Sequence, residues 1–190
     1  MKILAVIPAR AGSKGIRNKN ITKLNKKSLI EYTFLAAKKS LLKNIFLITD
    51  CLKTKKIAKK YNINCEYKRP KNLSKDDTSF IQTFSHFNKW LFKKNFYFDY
   101  VMVLQPTSPL RTFKDINNCI RILRENKPLS LFSVSKSIEH PAEAVNIKKK
   151  KKWNYIIKRS KKIFRRQDFI LKSFFENGAI YVAHKKIIEK

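Results

Sequence analysis

The sequence predicts an α/β domain with a mostly parallel sheet flanked by helices. The first observation is a set of short, β-rich apolar runs bounded by polar turns, as in strands buried on both faces of a parallel sheet: ILAVIP, IFLITD, YVMVLQP and LFSV. The second is the helical spacing of apolar residues between those runs, in residues 29–37, 80–91 and 116–123. Strand–helix–strand repetition of this kind favours right-handed crossovers.

The order of these elements also predicts where a ligand binds. In open α/β sheets, ligands bind beyond the carboxyl ends of the strands. Four loops are expected at those ends: residues 9–20, the turn after Asp50, residues 70–78 and residues 105–111. Residues 137–178 break the alternation, with a basic run, the β-like patch WNYII and then RRQD. We interpret this stretch as an insertion or arm rather than another strand–helix–strand unit.

The bulk composition is that of one folded domain, which we expect over residues 1–190. Hydrophobic residues make up 43% of the chain, which excludes a disordered polar tail, and no apolar run approaches the ~20 residues that span a bilayer. The opening run meets Pro8 too early for a signal peptide. The three cysteines have no CxxC spacing, so neither a disulfide framework nor a zinc site is indicated. We therefore expect a cytoplasmic protein without a membrane partner.

The formal net charge is +31, from 44 Lys and Arg against 13 Asp and Glu. Such a balance is typical of proteins that bind nucleic acid or another polyanion. The lysines are spread over every segment, however, and we favour solvated surface charge over a nucleic-acid site. Residues 145–167 contain no acidic residue and include the unbroken run Lys148–Lys152, which we expect to be a solvated turn.

The loop IPARAGSKGIRNKN, residues 7–20, contains two of the three glycines in the chain. Average usage would give about thirteen glycines at this length. Glycine permits positive φ and close backbone approach, and successive backbone amides form an anion-binding concavity. The loop matches neither GxxxxGK[ST] nor GxGxxG. The residues alone favour a phosphate-binding loop over a plain turn.

Several motifs together resemble the acylneuraminate cytidylyltransferase (CMP-sialic acid synthetase) family. The loop at residues 7–20 is similar to the pattern I-P-A-R-x-G-S-K-G-x-x-x-K-N, and FLITD is similar to V-S-T-D. KRPKNLSKDDTS resembles R-P-x-x-L-A-x-D-T-A-S, LQPTSPLR matches letter for letter, and RRQD and ENGAIYV resemble late sugar-side segments. The matches run in the family's order from Met1 to about Val182. The resemblance implies a Rossmann-like nucleotidyltransferase with an inserted dimerisation arm at residues 137–165.

The resemblance also implies which residues bind CTP. These nucleotide-binding candidates are Arg10, Gly12, Ser13, Gly15, Lys19, Asn20, Arg69, Thr78 and Ser79. Arginine and lysine suit phosphate as a planar fork and as a point charge, respectively. Lys14 and Arg17 are expected to be solvated surface charges. For the Thr78–Ser79 pair, N-capping of the helix that begins at Phe80 is an equally open interpretation.

On the sugar side, the resemblance implies substrate contacts from Gln105, Arg111, Arg165, Arg166 and Asn177. Arg166, or its neighbour Arg165, would bind the sugar carboxylate at the reacting centre, and Arg166 and Lys19 are the catalytic candidates. A salt bridge at a helix start is the open alternative for Arg111. A simple Asn-Gly turn is the alternative for Asn177 and Gly178.

The implied reaction is the transfer of CMP from CTP to a nine-carbon, sialic-acid-like 2-keto sugar acid, with release of pyrophosphate. No protein nucleophile is required, because alignment and charge neutralisation suffice. The resemblance implies Mg²⁺ (or Mn²⁺) as cofactor, with its ligands unknown, and a homodimer in which Arg166 acts across the interface. A non-enzymatic, basic binding protein for nucleotides or polyanions on the same scaffold is the alternative.

Three departures from the family pattern bear on activity. Glu143 and Phe175 stand where family members often have a cation. The D-I-D-T segment, whose aspartates are taken to hold the metal, has no counterpart before Lys190, and no D-x-D occurs in the chain. The remaining carboxylates near the expected site are Asp50, Asp76 and Asp77. We expect this chain to recognise CTP but to turn over at least roughly a hundredfold more slowly than a full-length relative.

Overall fold

The computed structural model describes residues 1–12, 15–148, 152–157, 165 and 172–188. The chain divides into two compact units: Met1–Phe132 with Gly178–Lys190, and Ser133–Asn177. The predicted arm, residues 137–165, falls inside the second unit.

The predicted α/β class is confirmed by a central sheet with the strand order β4–β1–β5–β9–β6. Strand β1 pairs in parallel with β4 and with β5, and β9 is antiparallel to β5. The strands of this sheet are β1 (Ile3–Pro8), β4 (Asn44–Ile48), β5 (Tyr100–Leu104), β6 (Ser130–Lys136) and β9 (Phe174–His184). A short hairpin, β2 (Lys23–Leu24) and β3 (Lys27–Ser28), lies between β1 and the first helix.

Three of the helices begin at a capping box, in which a hydroxyl side chain and the side chain three residues later each accept a hydrogen bond from the other's backbone. The capping pairs are Ser28–Glu31, Ser79–Gln82 and Thr112–Asp115. The helices are α1 (Leu29–Lys39), α2 (Leu52–Lys60), α3 (Phe80–Lys93), α4 (Phe113–Asn126) and α5 (Lys185–Ile188). None of these helices, within the ranges described above, is long and apolar enough to cross a membrane.

Strand β1 lies at the centre of the core because both of its faces are covered. Ile3, Ala5 and Ile7 belong to an apolar cluster that includes residues of α1, α2 and α4. Leu4 and Val6, on the opposite face, pack in a second cluster with aromatic residues of α3. This alternation produces three layers, with helices on both faces of the sheet. The carboxyl ends of β1, β4 and β5 therefore lie side by side at one edge.

Two features differ from the sequence predictions. The LFSV run was expected to be a strand buried on both faces, yet in β6 Phe132 and Val134 are 49% and 45% exposed. That expectation was wrong because a short run of apolar residues can occur both in a strand buried on its two faces and in a strand with one face exposed to solvent. Helix α2 was missed, since its sequence LKTKKIAKK buries only Thr54 and Ala58. Two small buried residues leave too weak an apolar periodicity to detect.

The second unit contains a two-stranded antiparallel hairpin. Its strands are β7 (Val145–Ile147) and β8 (Trp153–Tyr155), and the predicted β-like WNYII patch includes β8. Ile147 and Trp153 are 72% and 60% exposed, so the hairpin presents apolar side chains on its surface. The backbone N–H of Lys148 donates to the carbonyl of Lys152, which closes the hairpin across the basic run.

The buried phenol of Tyr67 should make the free energy of unfolding vary with pH in the alkaline range. Its side chain is 1% exposed, and burial raises the pKa of its phenol to about 12, against an opposing effect of the Arg69 charge. In the unfolded chain the phenol ionises near pH 10, so the free energy of unfolding should fall as pH rises from about 10 to 12. This contribution is at most about 1.4 kcal/mol per pH unit.

Urea denaturation at pH 9, 10 and 11 measures this dependence. Tyr67→Phe should show a shallower decline than the unsubstituted protein. Tyr97→Phe is the matched control, because Tyr97 is exposed. Equal slopes in the two variants would contradict the prediction.

Candidate functional site

The loop that follows β1 is anchored to the neighbouring strand β4. The backbone N–H of Ala11 donates to Oδ1 of Asp50 at 2.8 Å, and the Thr49 hydroxyl donates to the carbonyl of Ala9. Within the loop, Nδ2 of Asn20 donates to the carbonyl of Arg10 at 3.2 Å. Asp50 thus fixes the amide of Ala11, and Asn20 fixes the backbone from which the Arg10 side chain extends.

Backbone strain does not explain the two glycines of this loop. Neither Gly12 nor Gly15 has a positive φ, so the backbone does not use the conformational freedom that glycine gives at these positions. Among the described residues of the loop, Asn18 is left-handed, with φ 56°, and it precedes a short 3₁₀ turn at Lys19–Ile21. Asparagine is among the residues that tolerate this conformation. A methyl group on Gly15 would meet no atom of the described residues within 4 Å apart from its chain neighbours, and one on Gly12 would lie 3.6 Å from Nη1 of Arg10.

Several nucleotide-binding candidates line one cavity of about 210 Å³, here called the loop cavity. They are Arg10, Gly15, Lys19 and Asn20, and the loop after β5 contributes the sugar-side candidate Gln105. The remaining lining residues are Pro8, Pro106 and Thr107. Two cations and an amide at the carboxyl ends of β1 and β5 form a pocket suited to an anionic ligand. The structure therefore brings the candidates Arg10, Lys19 and Asn20 together at one cavity, and nucleotide binding by them stays a prediction.

A second cavity of about 400 Å³, here called the wide cavity, shares Arg10 and Gln105 with the first. It is lined by Pro8, Arg10, Arg69, Thr78, Phe80, Thr83, Val103, Gln105 and Tyr181. Its wall includes aromatic and apolar side chains next to two arginines. Such a mixture suits a ligand with a flat, polar ring joined to a charged group.

Arg10 forms an ion pair with Asp76 at the boundary of the two cavities. Both side chains are partly exposed, at 30% and 41%. An arginine held by a carboxylate keeps its guanidinium oriented, and a phosphate oxygen is an alternative acceptor of the same geometry. Asp76, a residue of the KDDTS motif, therefore helps to orient the Arg10 side chain.

Arg69 supports the loop that leads to α3. Its Nε and Nη2 donate to the carbonyl of Leu73 at 3.0 and 2.5 Å. Burial lowers the pKa of the guanidinium, against the opposing effects of Asp50 and Tyr67, while Arg10 lowers it further. Arg69 is only 9% exposed but lines the wide cavity, so it holds the loop and also faces the cavity.

Thr78 and Ser79 have different settings. Ser79 is the N-cap of α3, where its Oγ accepts a hydrogen bond from the backbone N–H of Gln82 at 3.2 Å. Thr78 lines the wide cavity. The capping interpretation thus applies to Ser79, and nucleotide contact by either residue stays a prediction.

The loop after β5 holds Gln105 and Arg111 in contrasting environments. Gln105 is half-buried and lines both cavities. Arg111 is 6% exposed, and its Nη1 donates to the carbonyls of Gln105 and Ala179 at 3.0 and 2.7 Å. Its Nη2 donates to Oγ1 of Thr33 at 2.7 Å. All three acceptors are neutral, so these hydrogen bonds are neither a salt bridge at the start of a helix nor a contact with a substrate. Substrate binding by Arg111 stays a prediction.

Two of the predicted sugar-side residues are described in the second unit. Asn177 accepts a hydrogen bond from the Ser133 hydroxyl at 2.6 Å and donates to the Ser135 hydroxyl at 3.1 Å. Arg165 is exposed. The catalytic candidate Arg166 and the nucleotide-binding candidate Ser13 lie outside the described residues.

Glu143 and Phe175 stand where the resemblance implies a cation, and the structure gives the surroundings of both. Glu143 accepts a hydrogen bond from the backbone N–H of His140 at 3.3 Å and caps a short 3₁₀ turn, Pro141–Glu143. Phe175 is 55% exposed on β9. Neither residue supplies a positive charge to a ligand.

Sequence reasoning missed Thr83, Phe80 and Tyr181 as cavity residues. All three lie on regular elements whose apolar or helical pattern was assigned to the core. Phe80 is the first residue of α3, and Tyr181 alternates along β9 with the buried Ile180 and Val182. The alternation could have identified Tyr181, because successive side chains of a strand point to opposite faces of the sheet and its two neighbours are apolar.

The sequence from Leu4 to Lys190 matches the model of the cytidylyltransferase family. The chain belongs to this family. Its relatives include the N-acylneuraminate cytidylyltransferase of Escherichia coli O18:K1:H7, which is 30% identical over 97% of this chain and 43% of the relative. The CMP-N,N'-diacetyllegionaminic acid synthase of Legionella pneumophila is 37% identical over 64% of this chain and 53% of the relative. The chain thus spans about half the length of these cytidylyltransferases.

Solved structures of cytidylyltransferases share the fold. A CMP:2-keto-3-deoxy-manno-octonic acid synthetase complexed with CTP superimposes with a TM-score of 0.71 at 18% identity, over 100% of this chain and 76% of that one. The 4-diphosphocytidyl-2C-methyl-D-erythritol synthase of Anaerococcus prevotii gives a TM-score of 0.64 at 17% identity, over 98% and 72% of the two chains. The predicted nucleotidyltransferase fold is therefore confirmed.

Proposed function

We propose that the protein transfers CMP from CTP to a nine-carbon, sialic-acid-like 2-keto sugar acid and releases pyrophosphate. The observation that carries the proposal is the convergence of Arg10, Lys19 and Asn20 on the loop cavity, in a chain of the cytidylyltransferase family. The names of its relatives support the sugar class, since they include synthases and cytidylyltransferases for N-acylneuraminic, legionaminic and pseudaminic acids.

In the proposed reaction, a sugar hydroxyl oxygen attacks the α-phosphorus of CTP. The new oxygen–phosphorus bond forms as the bond from the α-phosphorus to the bridging oxygen of pyrophosphate breaks, and the hydroxyl proton passes to solvent. Arg10 and Lys19 bind the phosphates and neutralise their charge, and Asn20 holds the backbone that carries Arg10. Gln105, which borders both cavities, orients the sugar next to the nucleotide. Positioning and electrostatics of this kind account for most of the catalysis of phosphoryl transfer.

Magnesium stays a prediction, and the described residues do not fit a site for it built from the protein alone. Within the described ranges, no group of three or more His, Cys, Asp and Glu could hold a metal ion. Asp50 accepts a hydrogen bond from Ala11, and Asp76 is paired with Arg10. Mg²⁺ is typically held by one or two carboxylates together with substrate phosphates.

A homodimer assembled through the hairpin of the second unit is part of the proposal. The exposed apolar residues of that hairpin and of the segment after it support this role; they include Ile147, Trp153 and Ile156. Sedimentation velocity of the protein and of Trp153→Ser tests it, and a monomer at micromolar concentration would contradict it.

Calorimetric titration with CTP and with ATP, repeated at two salt concentrations, tests nucleotide recognition. We expect saturable binding that prefers CTP and changes little with salt. A coupled assay for pyrophosphate then tests turnover with N-acetylneuraminic, legionaminic and pseudaminic acids as acceptors. Product formation with at least one of the three acids is the expected result.

Charge-driven binding would give a different pattern. Affinity would fall steeply with salt and would not distinguish the bases, as expected for binding to a polyanion site. That outcome would favour the non-enzymatic alternative and overturn the proposed function.

A further inference from the structure

Arg111 is a buried cation that connects three separate parts of the first unit. Its guanidinium reaches Thr33 on α1, the carbonyl of Gln105 after β5 and the carbonyl of Ala179 on β9. Thr33 and Ala179 are 78 and 68 residues away from it in sequence. The guanidinium has five N–H donors in a fixed planar arrangement, so one side chain can donate to all three acceptors at once.

The environment of this guanidinium is unfavourable for a charge. Burial lowers the pKa of Arg111 to about 10, which the charge of Asp115 partly offsets, and Nε has no hydrogen-bond partner within the described part of the chain. Burying a charge is costly unless it is fully paired. A side chain that served only to fill the core would be apolar at this position, so the guanidinium is retained for the contacts that it makes.

Two of those contacts meet at one point of the cavity wall. Arg111 holds the backbone of Gln105, and it also holds Ala179, the neighbour of Gly178. Gly178 has φ +71°, and a methyl group on it would lie 3.7 Å from Oε1 of Gln105. The Gln105 amide therefore lies against a backbone segment that the same guanidinium fixes. A shift of either segment would move this amide at the border of the two cavities.

We propose that Arg111 is a positioning residue that sets acceptor recognition by holding the Gln105 amide against Gly178. This inference rests on the proposed function for the identity of the acceptor. It replaces the direct sugar contact that the resemblance implies for Arg111 with an indirect role, in which the guanidinium acts through Gln105. Thr33, the third contact, lies on α1 and lines neither cavity, so its hydrogen bond contributes to stability alone.

Four variants separate positioning from a structural role: Arg111→Lys, Thr33→Val, Gln105→Ala and the double variant Arg111→Lys/Gln105→Ala. We expect Arg111→Lys to raise the KM for the best sugar acid of the panel about tenfold and to leave the KM for CTP within a factor of about two. Thr33→Val should lower the Tm and leave both KM values unchanged. Because Arg111 acts through Gln105, the double variant should have the same sugar KM as Gln105→Ala alone.

Hydrogen exchange without substrates tests the same inference independently of activity. Exchange in residues 105–110 and 178–181 should rise in Arg111→Lys and stay unchanged in Thr33→Val. If turnover fails with every sugar acid while exchange rises as expected, the proposed function fails and the positioning role stands.

Three results would overturn the positioning role: unchanged exchange in Arg111→Lys, additive KM effects in the double variant, or equal effects of the Arg111 and Thr33 substitutions. Arg111→Gln is made in parallel, because its amide retains two donors. If neither Arg111 variant folds, the residue is required for the fold itself, and a separable positioning role is likewise overturned.

Discussion

Replacing Arg10 with methionine should weaken CTP binding on the order of 100-fold. A hydrogen bond from a guanidinium to a charged group is worth about 1.5–3 kcal/mol, and each 1.4 kcal/mol corresponds to a factor of ten. The substitution also removes the ion-pair partner of Asp76, which would leave that carboxylate without Arg10 beside the bound phosphates. Like charges then add a repulsive contribution. Calorimetric titration with CTP measures the combined effect.

The contribution of Asp76 can be separated from that of Arg10. The double variant Arg10→Met/Asp76→Asn removes the repulsive carboxylate, so we expect it to recover part of the loss, about three- to tenfold in affinity. Arg17→Met is the matched control, since Arg17 is an exposed cation of the same loop, and it should change the affinity by less than about threefold. Equal losses in the Arg10 and Arg17 variants would show that the loop binds CTP through net charge alone.

Phe87→Ala should destabilise the first unit by about 3–5 kcal/mol, the range for loss of a fully buried aromatic ring. Phe87 is 0% exposed on α3, and its ring lies 4.9 Å from that of Tyr67 and 5.8 Å from that of Trp90. Its removal leaves a cavity in the cluster that packs α3 against the sheet. Urea denaturation monitored by tryptophan fluorescence and by circular dichroism measures the change.

Phe92→Ala provides the comparison for this substitution. Phe92 lies on the same helix but is 45% exposed and pairs with Tyr97 at 5.7 Å. We expect a loss of about 1 kcal/mol or less from this surface position. If the two variants unfold at the same urea concentration, α3 does not depend on the buried aromatic cluster.

The fold could be predicted wherever a segment buries enough apolar surface to impose its period. β1, β4, β5 and helices α1, α3 and α4 all met this condition. Helix α2 did not, because only Thr54 and Ala58 are buried in it and Ile57 packs against the core while partly exposed. β6 shows the converse problem, since apolar letters do not reveal that Phe132 and Val134 lie at an open face.

The sequence could predict which residue types belong to the candidate site, because motifs specify residue types. It could not predict which way each side chain points. The motif around residues 7–20 identified Arg10, Lys19 and Asn20, and these residues meet at one cavity. Arg111 belongs to an equally distinct motif, yet the motif does not predict whether its guanidinium binds a ligand or three neutral acceptors inside the protein. Such a choice depends on contacts 68 and 78 residues away in sequence.

The turns of this protein show how a chain with three glycines obtains left-handed backbone. Among the described residues, asparagine supplies it at positions 18, 25, 62 and 95 and lysine at positions 26 and 127, with φ between 46° and 56°. Glycine is thus not needed for ordinary reversals of this chain, so each of its three positions is informative. Gly178 combines φ +71° with an adjacent amide 3.7 Å from its missing methyl group. The described residues impose no such demand on Gly12 or Gly15, which agrees with the proposal that a ligand approaches the bare backbone of this loop.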